Sequence, residues 1–154
     1  MRELPTARKS VAWSVVFPVE YRLIRLLDPV IRRIWLVAGL GNVVELRVVG
    51  RRSGRRRSVL LGLLRGDGRW FLGHPNGDVA WTRNLEAAGV ADVVFHDGAV
   101  QHVRALRLAP GAARDAAIAA TWQHVFPGNL LYRLAWAHIR AVGTYFLIEP
   151  AVSA

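Results

Sequence analysis

The sequence predicts an α+β chain, mainly β: a small barrel of about six mostly antiparallel strands with helices packed on it. Three observations lead there. Six short segments carry apolar residues at the alternation, or in the compact runs, of buried strands. Most of them are joined by turns too short for a crossover, so neighbours run antiparallel. A last apolar segment stands apart near the C-terminal end, where it can close the sheet. The 154 residues fit one domain, divided into a helical segment at 1–38 and a barrel core at 43–150.

The elements follow in order. Residues 19–36, VEYRLIRLLDPVIRRIWL, repeat Leu23, Leu27, Val30, Ile31 and Ile34 at helical spacing, with Arg22, Arg25, Arg32 and Arg33 mostly on the other side. Pro29 predicts a kink or break at Asp28. Gly39 and Gly41 end the segment. One reading is a helix with its apolar face on the core and its basic face in water. The other is a helix lying on an anionic membrane surface, through residues 11–37, because a cationic face opposite Leu, Ile and Trp35 has that composition. Val44, Leu46 and Val48 then alternate with Glu45 and Arg47 in a strand that starts at Val43. Ser58 to Leu64 is apolar enough for a central strand. Arg65-Gly66-Asp67-Gly68 turns the chain into a strand from Arg69 to Gly73. HPNGD at 74–78 is a loop, and Val79–Ala88 is helical with Asp78 as N-cap. Val90–His96 and Val100–Leu108 form a hairpin about Asp97-Gly98. Ala112–Val125 is an alanine-rich helix, ended by Pro127-Gly128. Leu130–Ala141 is a second helix with Asn129 as N-cap. Thr144–Ile148 is the closing strand.

Lys plus Arg number 21 against 11 Asp plus Glu, a net charge of +10, and Lys9 is the only lysine. Such a balance favours an anionic partner. The absence of cysteine excludes disulfides, thiolate catalysis and Cys-type metal centres, and fits a cytoplasmic setting. His74, His96, His102, His124 and His138 have no metal-ligand spacing, so no metal is expected. The apolar stretch Val11–Val19 is short, contains Pro18 and precedes no cleavage site, so no signal peptide is expected. No run nears the ~20 apolar residues of a membrane span. No aromatic repeat interleaves the basic residues, so no nucleic-acid partner is expected.

Residues 48–61, VVGRRSGRRRSVLL, place Arg51, Arg52, Arg55, Arg56 and Arg57 between two apolar runs. Gly50 and Gly54 bracket a tight turn whose N–H groups can form an anion nest. Ser53 adds a hydroxyl, and arginine forks give bidentate contacts to phosphate oxygens. The turn is either a phosphate cradle or a solvated basic hairpin. It is neither a Walker A loop nor a G-x-G-x-x-G fingerprint. Downstream, HPNGDVAWTRNL at 74–85 sets a glycine loop, Trp81, Arg83 and Asn84 at a helix start, a place that attracts anions.

Taken together, Gly50-Arg51-Arg52-Ser53-Gly54-Arg55-Arg56-Arg57, the Gly66-Asp67-Gly68 hairpin, Asn76-Gly77 and Trp81-Thr82-Arg83-Asn84-Leu85 resemble the deazaflavin-dependent nitroreductase family. That family belongs to the flavin/deazaflavin oxidoreductases with a split β-barrel, FMN-binding-like fold. The resemblance covers residues 40–98 most clearly and runs more loosely to 150. It implies coenzyme F420, an 8-hydroxy-5-deazaflavin with a phosphate and an anionic tail. The implied contacts are Arg51, Arg52, Ser53, Gly54 and Arg57, with Asn76, Gly77, Trp81 and Asn84 at the pocket edge. FMN is the alternative, since its phosphate would use the same loop. The implied chemistry is hydride transfer to an electron-poor small-molecule acceptor, with Tyr132 and Tyr145 as candidate proton donors by chemistry alone. Family barrels often pair, so a homodimer is among the expectations. The chain departs from the family at Ala80 and Gly143, where prolines are common, and in having one tyrosine in the C-terminal helical region. Trp122, Leu134 and Trp136 point to a hydrophobic acceptor, such as a quinone, a nitro compound or a lipid. A non-catalytic binder of a flavin or lipid-like ligand is the alternative function.

Overall fold

The structure is a computed structural model that describes residues 3–152. Its elements are α1 (Val11–Ala38), β1 (Val43–Val49), β2 (Arg56–Gly62), β3 (Leu64–Gly66), β4 (Arg69–His74), α2 (Ala80–Ala88), β5 (Val90–Val94), β6 (Val100–Arg107), α3 (Ala112–Ala119), α4 (Gly128–Leu134), α5 (Trp136–Val142) and β7 (Thr144–Pro150), with a 3-10 turn at Ala120–Gln123. The strands form one sheet in the order β2-β1-β5-β6-β7-β4-β3, and every ladder is antiparallel. The sheet is curled. Trp70 on β4 and Phe95 beside β5 lie three strands apart, which is about 14 Å in a flat sheet, yet their ring centroids are 6.0 Å apart.

Alternation along each strand makes two cores. Leu46, Leu72, Val93, Val103 and Phe146 point into the barrel with Trp81 and Leu85 of α2. Leu64, Phe71 and Tyr145 point outward and are covered by Ala117 and Ile118 of α3, Trp136 and Ile139 of α5, and Phe17 of α1. Phe146 and Tyr145, adjacent in sequence, are 0 % and 1 % exposed in different cores.

The strand count is seven rather than six. Residues 58–64 are not a central strand: β2 is one edge of the sheet, and Leu64 already belongs to β3 at the other. Leu63 and Leu64 are both buried, one in each core. The apolar run therefore reflects two environments met in succession. Gly62 permits the passage, because a Cβ there would stand 2.4 Å from His124 Nδ1. Asn42 braces it by accepting from the Leu63 N–H at 2.9 Å and donating to its carbonyl at 3.0 Å.

Helix α1 begins at Val11, earlier than expected, and runs unbroken through Pro18 and Pro29. Pro29 is exposed, so water can take the carbonyl that its ring leaves without an N–H. The core-facing reading is overturned. Leu23, Leu27, Val30 and Ile34 are each about half exposed, and the helix buries only Phe17 and Trp35. Trp35 also donates to the Val43 carbonyl at 2.8 Å.

Two caps differ from expectation. Val79 occupies the N-cap position of α2, and the Asp78 carboxylate instead accepts from Arg107 at 3.0 Å and Thr144 at 3.0 Å. Residues 130–141 split at Ala135, which is 1 % exposed and sits at φ −95°, ψ 7°. Asn129 accepts from the adjacent Leu130 N–H rather than capping, and Pro127 flanks the start of α4.

Candidate functional site

The β1–β2 hairpin carries the arginine turn. Gly50 donates to the Arg55 carbonyl at 2.8 Å, and Gly54 to the Gly50 carbonyl at 2.9 Å. Gly54 has φ +64°, and a Cβ on Gly50 would meet Ser53 Oγ at 2.9 Å. The left-handed φ at residue 54 favours glycine there, and glycine at residue 50 leaves room for the Ser53 hydroxyl. Ser53 Oγ accepts from the Arg55 N–H at 3.3 Å, which leaves its own proton to donate.

Helix α2 fixes one arginine of the turn. Asn84 Oδ1 accepts from the Arg51 backbone N–H at 3.2 Å and from Arg51 Nη1 at 2.9 Å. Arg56 reaches across to Asp92 at 3.1 Å. Among the described residues, Arg25, Arg52, Arg55 and Arg57 have no carboxylate partner.

A cleft of about 590 Å³ opens beside the turn. The structure brings Arg51, Arg52, Ser53, Arg57, Trp81 and Asn84 together around it, with Val48 and Val59 as apolar lining. Trp81 does double duty: it is 6 % exposed and packs into the barrel core near Phe146, at 6.2 Å between ring centroids.

The opposite wall was not foreseen. Tyr21, Arg25, Asp28 and Arg32 of α1 line the cleft. Their spacing of four, three and four residues makes one helical stripe. Arg32 binds Asp28 at 3.0 Å and also Glu45, a buried carboxylate on β1 that Arg47 shares. That cluster ties α1 to the barrel. Tyr21 lies edge-on to His74, with ring centroids 5.4 Å apart. Burial raises the Tyr21 phenol above its ordinary value, and Arg25 partly offsets this.

The remaining sequence candidates stand elsewhere. Gly54 is at the turn but not on the cleft wall. Asn76 Oδ1 accepts from His138 Nε2 at 2.8 Å, and the Gly77 carbonyl lies 3.2 Å from His74 Nδ1. Both residues hold the 74–78 loop in place. Tyr132 packs against His124 at 4.4 Å and Phe17 at 5.8 Å between ring centroids. Tyr145 is buried in the outer core, and its hydroxyl lacks a hydrogen-bond partner. Burial holds both phenols well above their ordinary value. Trp136 donates to Thr121 at 2.8 Å inside the outer core, while Trp122 flanks a separate hollow near Phe95. No cluster of metal-ligating side chains occurs among the described residues.

His74 sets a pH dependence. It is 8 % exposed, and burial pulls its pKa from 6.5 down to about 4, against the opposing pull of Gly77 and Asp78. The unfolded chain takes up a proton near pH 6.5 that the folded chain refuses until about pH 4. Stability is therefore complete above that upper value and is lost as pH falls through the window, by roughly 3 kcal/mol. Urea unfolding across that range should reveal the slope, and His74→Gln should reduce it. His124, also lowered by burial to about 4, keeps part of the slope in that variant.

No protein-family model and no curated protein matches the chain. Solved structures do. An F420-H2 dependent reductase, FDR-A, superposes with a TM-score of 0.54 over 70 % of this chain and 94 % of its own, at 21 % identity. A domain-swapped dimer gives a TM-score of 0.55 over 86 % of this chain and 99 % of its own, at 18 % identity. The fold is a split β-barrel. HutZ, the heme storage protein of Vibrio cholerae, gives a TM-score of 0.55 over 82 % and 92 %, at 13 % identity. A split barrel thus serves a reductase and a heme storage protein alike, and function has to be argued from the site. At 21 % identity the reductase shares the fold with this chain.

Proposed function

We propose that the chain is a deazaflavin-dependent oxidoreductase that binds F420 in the arginine cleft. It passes a hydride to an electron-poor, hydrophobic acceptor of the quinone or nitro class. The observation that carries this reading is the convergence of Arg51, Arg52, Ser53, Arg57, Trp81 and Asn84, drawn from two distant stretches, on one cleft. The lining suits a phosphorylated planar ring: guanidinium groups without carboxylate partners stand at the turn, and Val48, Val59 and Trp81 supply apolar surface.

When bound, the deazaflavin supplies the hydride chemistry. The chain's own residues bind, orient and exclude water. Arg52 and Arg57 would hold the phosphate with charge-assisted bonds. Arg51 is pre-oriented by Asn84, which limits the freedom lost on binding. Helix α1 covers the other side. Tyr21 is the phenol on the cleft wall and takes the proton-donor role, since Tyr145 is buried in the outer core and Tyr132 packs against that core, neither of them lining the cleft. Tyr21→Phe should lower turnover by roughly a hundredfold and leave cofactor affinity nearly unchanged.

The test is a fluorescence titration of the purified protein with F420 and, separately, with FMN, followed by turnover with quinone and nitroaromatic acceptors. Tight F420 binding with weak FMN binding supports the reading, and binding of neither removes it. A non-catalytic binder is the second reading, favoured by the position of Tyr132 and Tyr145 outside the cleft. F420 binding without turnover of any acceptor would select it.

A further inference from the structure

Helix α1 has three sides, and two are already in use. Phe17 and Trp35 anchor one, while Tyr21, Arg25, Asp28 and Arg32 give the next to the cleft. At 3.6 residues per turn, Val15, Val19, Leu23, Leu26, Val30 and Val37 share the remaining side. Their exposure runs from 55 % at Leu23 to 87 % at Val37. The stripe is about 33 Å long, and an exposed apolar row of that extent, edged by Arg33 between Val30 and Val37, marks an interaction surface.

We propose that this stripe seats α1 flat on an anionic phospholipid bilayer, at the boundary between headgroups and acyl chains. Two occupants compete for such a face, a second copy of the chain and a lipid surface, and charge separates them. Apart from the cleft-facing Arg25, Asp28 and Arg32, residues 8–33 hold four cations, Arg8, Lys9, Arg22 and Arg33, and one carboxylate, Glu20. Arg22 and Arg33, both exposed, border the stripe. A second copy would bring the same positive excess face to face, on chains of net charge +10. An anionic headgroup layer reverses the sign, and each basic residue near it then contributes favourably. No helix among the described residues is long and apolar enough to cross a membrane. The geometry is that of an interfacial helix. Because α1 is also a wall of the cleft, seating it places the cleft beside the bilayer, whatever the cleft binds.

The experiment is co-sedimentation of the full chain with vesicles of phosphatidylcholine, alone or with about one-third phosphatidylglycerol, at low and high salt. Binding to the anionic vesicles, weakened by salt, is expected. Leu26→Gln with Val30→Gln should reduce partitioning at least about tenfold. Both side chains are exposed, so an unchanged thermal midpoint should confirm folding. Arg22→Gln with Arg33→Gln should remove the preference for anionic lipid. Absence of vesicle binding overturns the proposal, as does binding that survives the two glutamines. A dimer in solution that those glutamines dissociate, without lipid binding, also overturns it and assigns the stripe to a second copy. None of these outcomes depends on F420, so the cleft reading stands or falls separately.

Discussion

Replacing Arg52 and Arg57 together by alanine is expected to weaken F420 binding by about a hundredfold while leaving the fold intact. Both side chains are exposed, and neither has a carboxylate partner among the described residues. Their removal strands no buried charge, so stability should move by less than about 0.5 kcal/mol. A hydrogen bond to a charged group contributes roughly 1.5–3 kcal/mol. Solvent screening at an exposed turn argues for the lower end. About 1.4 kcal/mol from each arginine corresponds to a factor of ten apiece. Lysine at both positions should restore only part of the loss, because it keeps the charge without the planar fork. Arg56→Ala is the internal control. Arg56 is engaged with Asp92 and does not line the cleft, so its loss should change affinity little. Fluorescence titrations of the four proteins decide the matter. A double variant within about threefold of the parent would remove the phosphate cradle.

Local pattern made much of the barrel legible, and the failures share a physical origin. Val44, Leu46 and Val48 alternate because one face of β1 is the barrel interior, and they are buried there. Asp67-Gly68 was readable as a turn, and it has φ +52° and +70°. Ser58–Leu64 misled because an apolar run records burial but not strand neighbours. Leu63 and Leu64 are buried in two cores on opposite faces of the sheet. For α1, periodicity separates the faces of a helix but does not say which one the barrel takes. Two large aromatics five turns apart, Phe17 and Trp35, outweigh a longer row of valines and leucines. The cleft follows the same rule. Its arginine turn is contiguous and could be read, whereas Tyr21 and Arg25 approach from about thirty residues away. The signal for them is the Tyr21-Arg25-Asp28-Arg32 spacing, but Arg25 and Arg32 read equally well as one basic face with Arg22 and Arg33. The chemistry of a phenol does not say which way it points, and the alternation of β7 turns Tyr145 away from the barrel interior.

Gly73→Ala should cost about 3 kcal/mol of stability. Gly73 on β4 stands opposite Tyr145 on β7, and the tyrosine ring lies across the glycine. A Cβ at residue 73 would be 2.3 Å from Tyr145 Cδ1 and Cε1. The ring has nowhere to retreat. A Cβ on Gly143, at its other edge, would already meet Tyr145 Cε2 at 2.9 Å and the Ile139 carbonyl at 2.6 Å. That packing also gives a physical reason for glycine at residue 143. Overpacking a filled core costs roughly 1–3 kcal/mol, and here a ring that is 1 % exposed must move between two paired strands. For a domain of this size the loss corresponds to a fall of roughly 10 °C in the thermal midpoint. Tyr145→Ala alone should also destabilise, by leaving a cavity, at about 3–5 kcal/mol. The double variant separates clash from context. If the methyl group and the ring compete for one space, Gly73→Ala should cost much less in the Tyr145→Ala background, with a coupling of about 2 kcal/mol. Strictly additive losses in urea unfolding would mean that the ring does not lie over Gly73, and the packing assigned to the outer core at that point would be wrong.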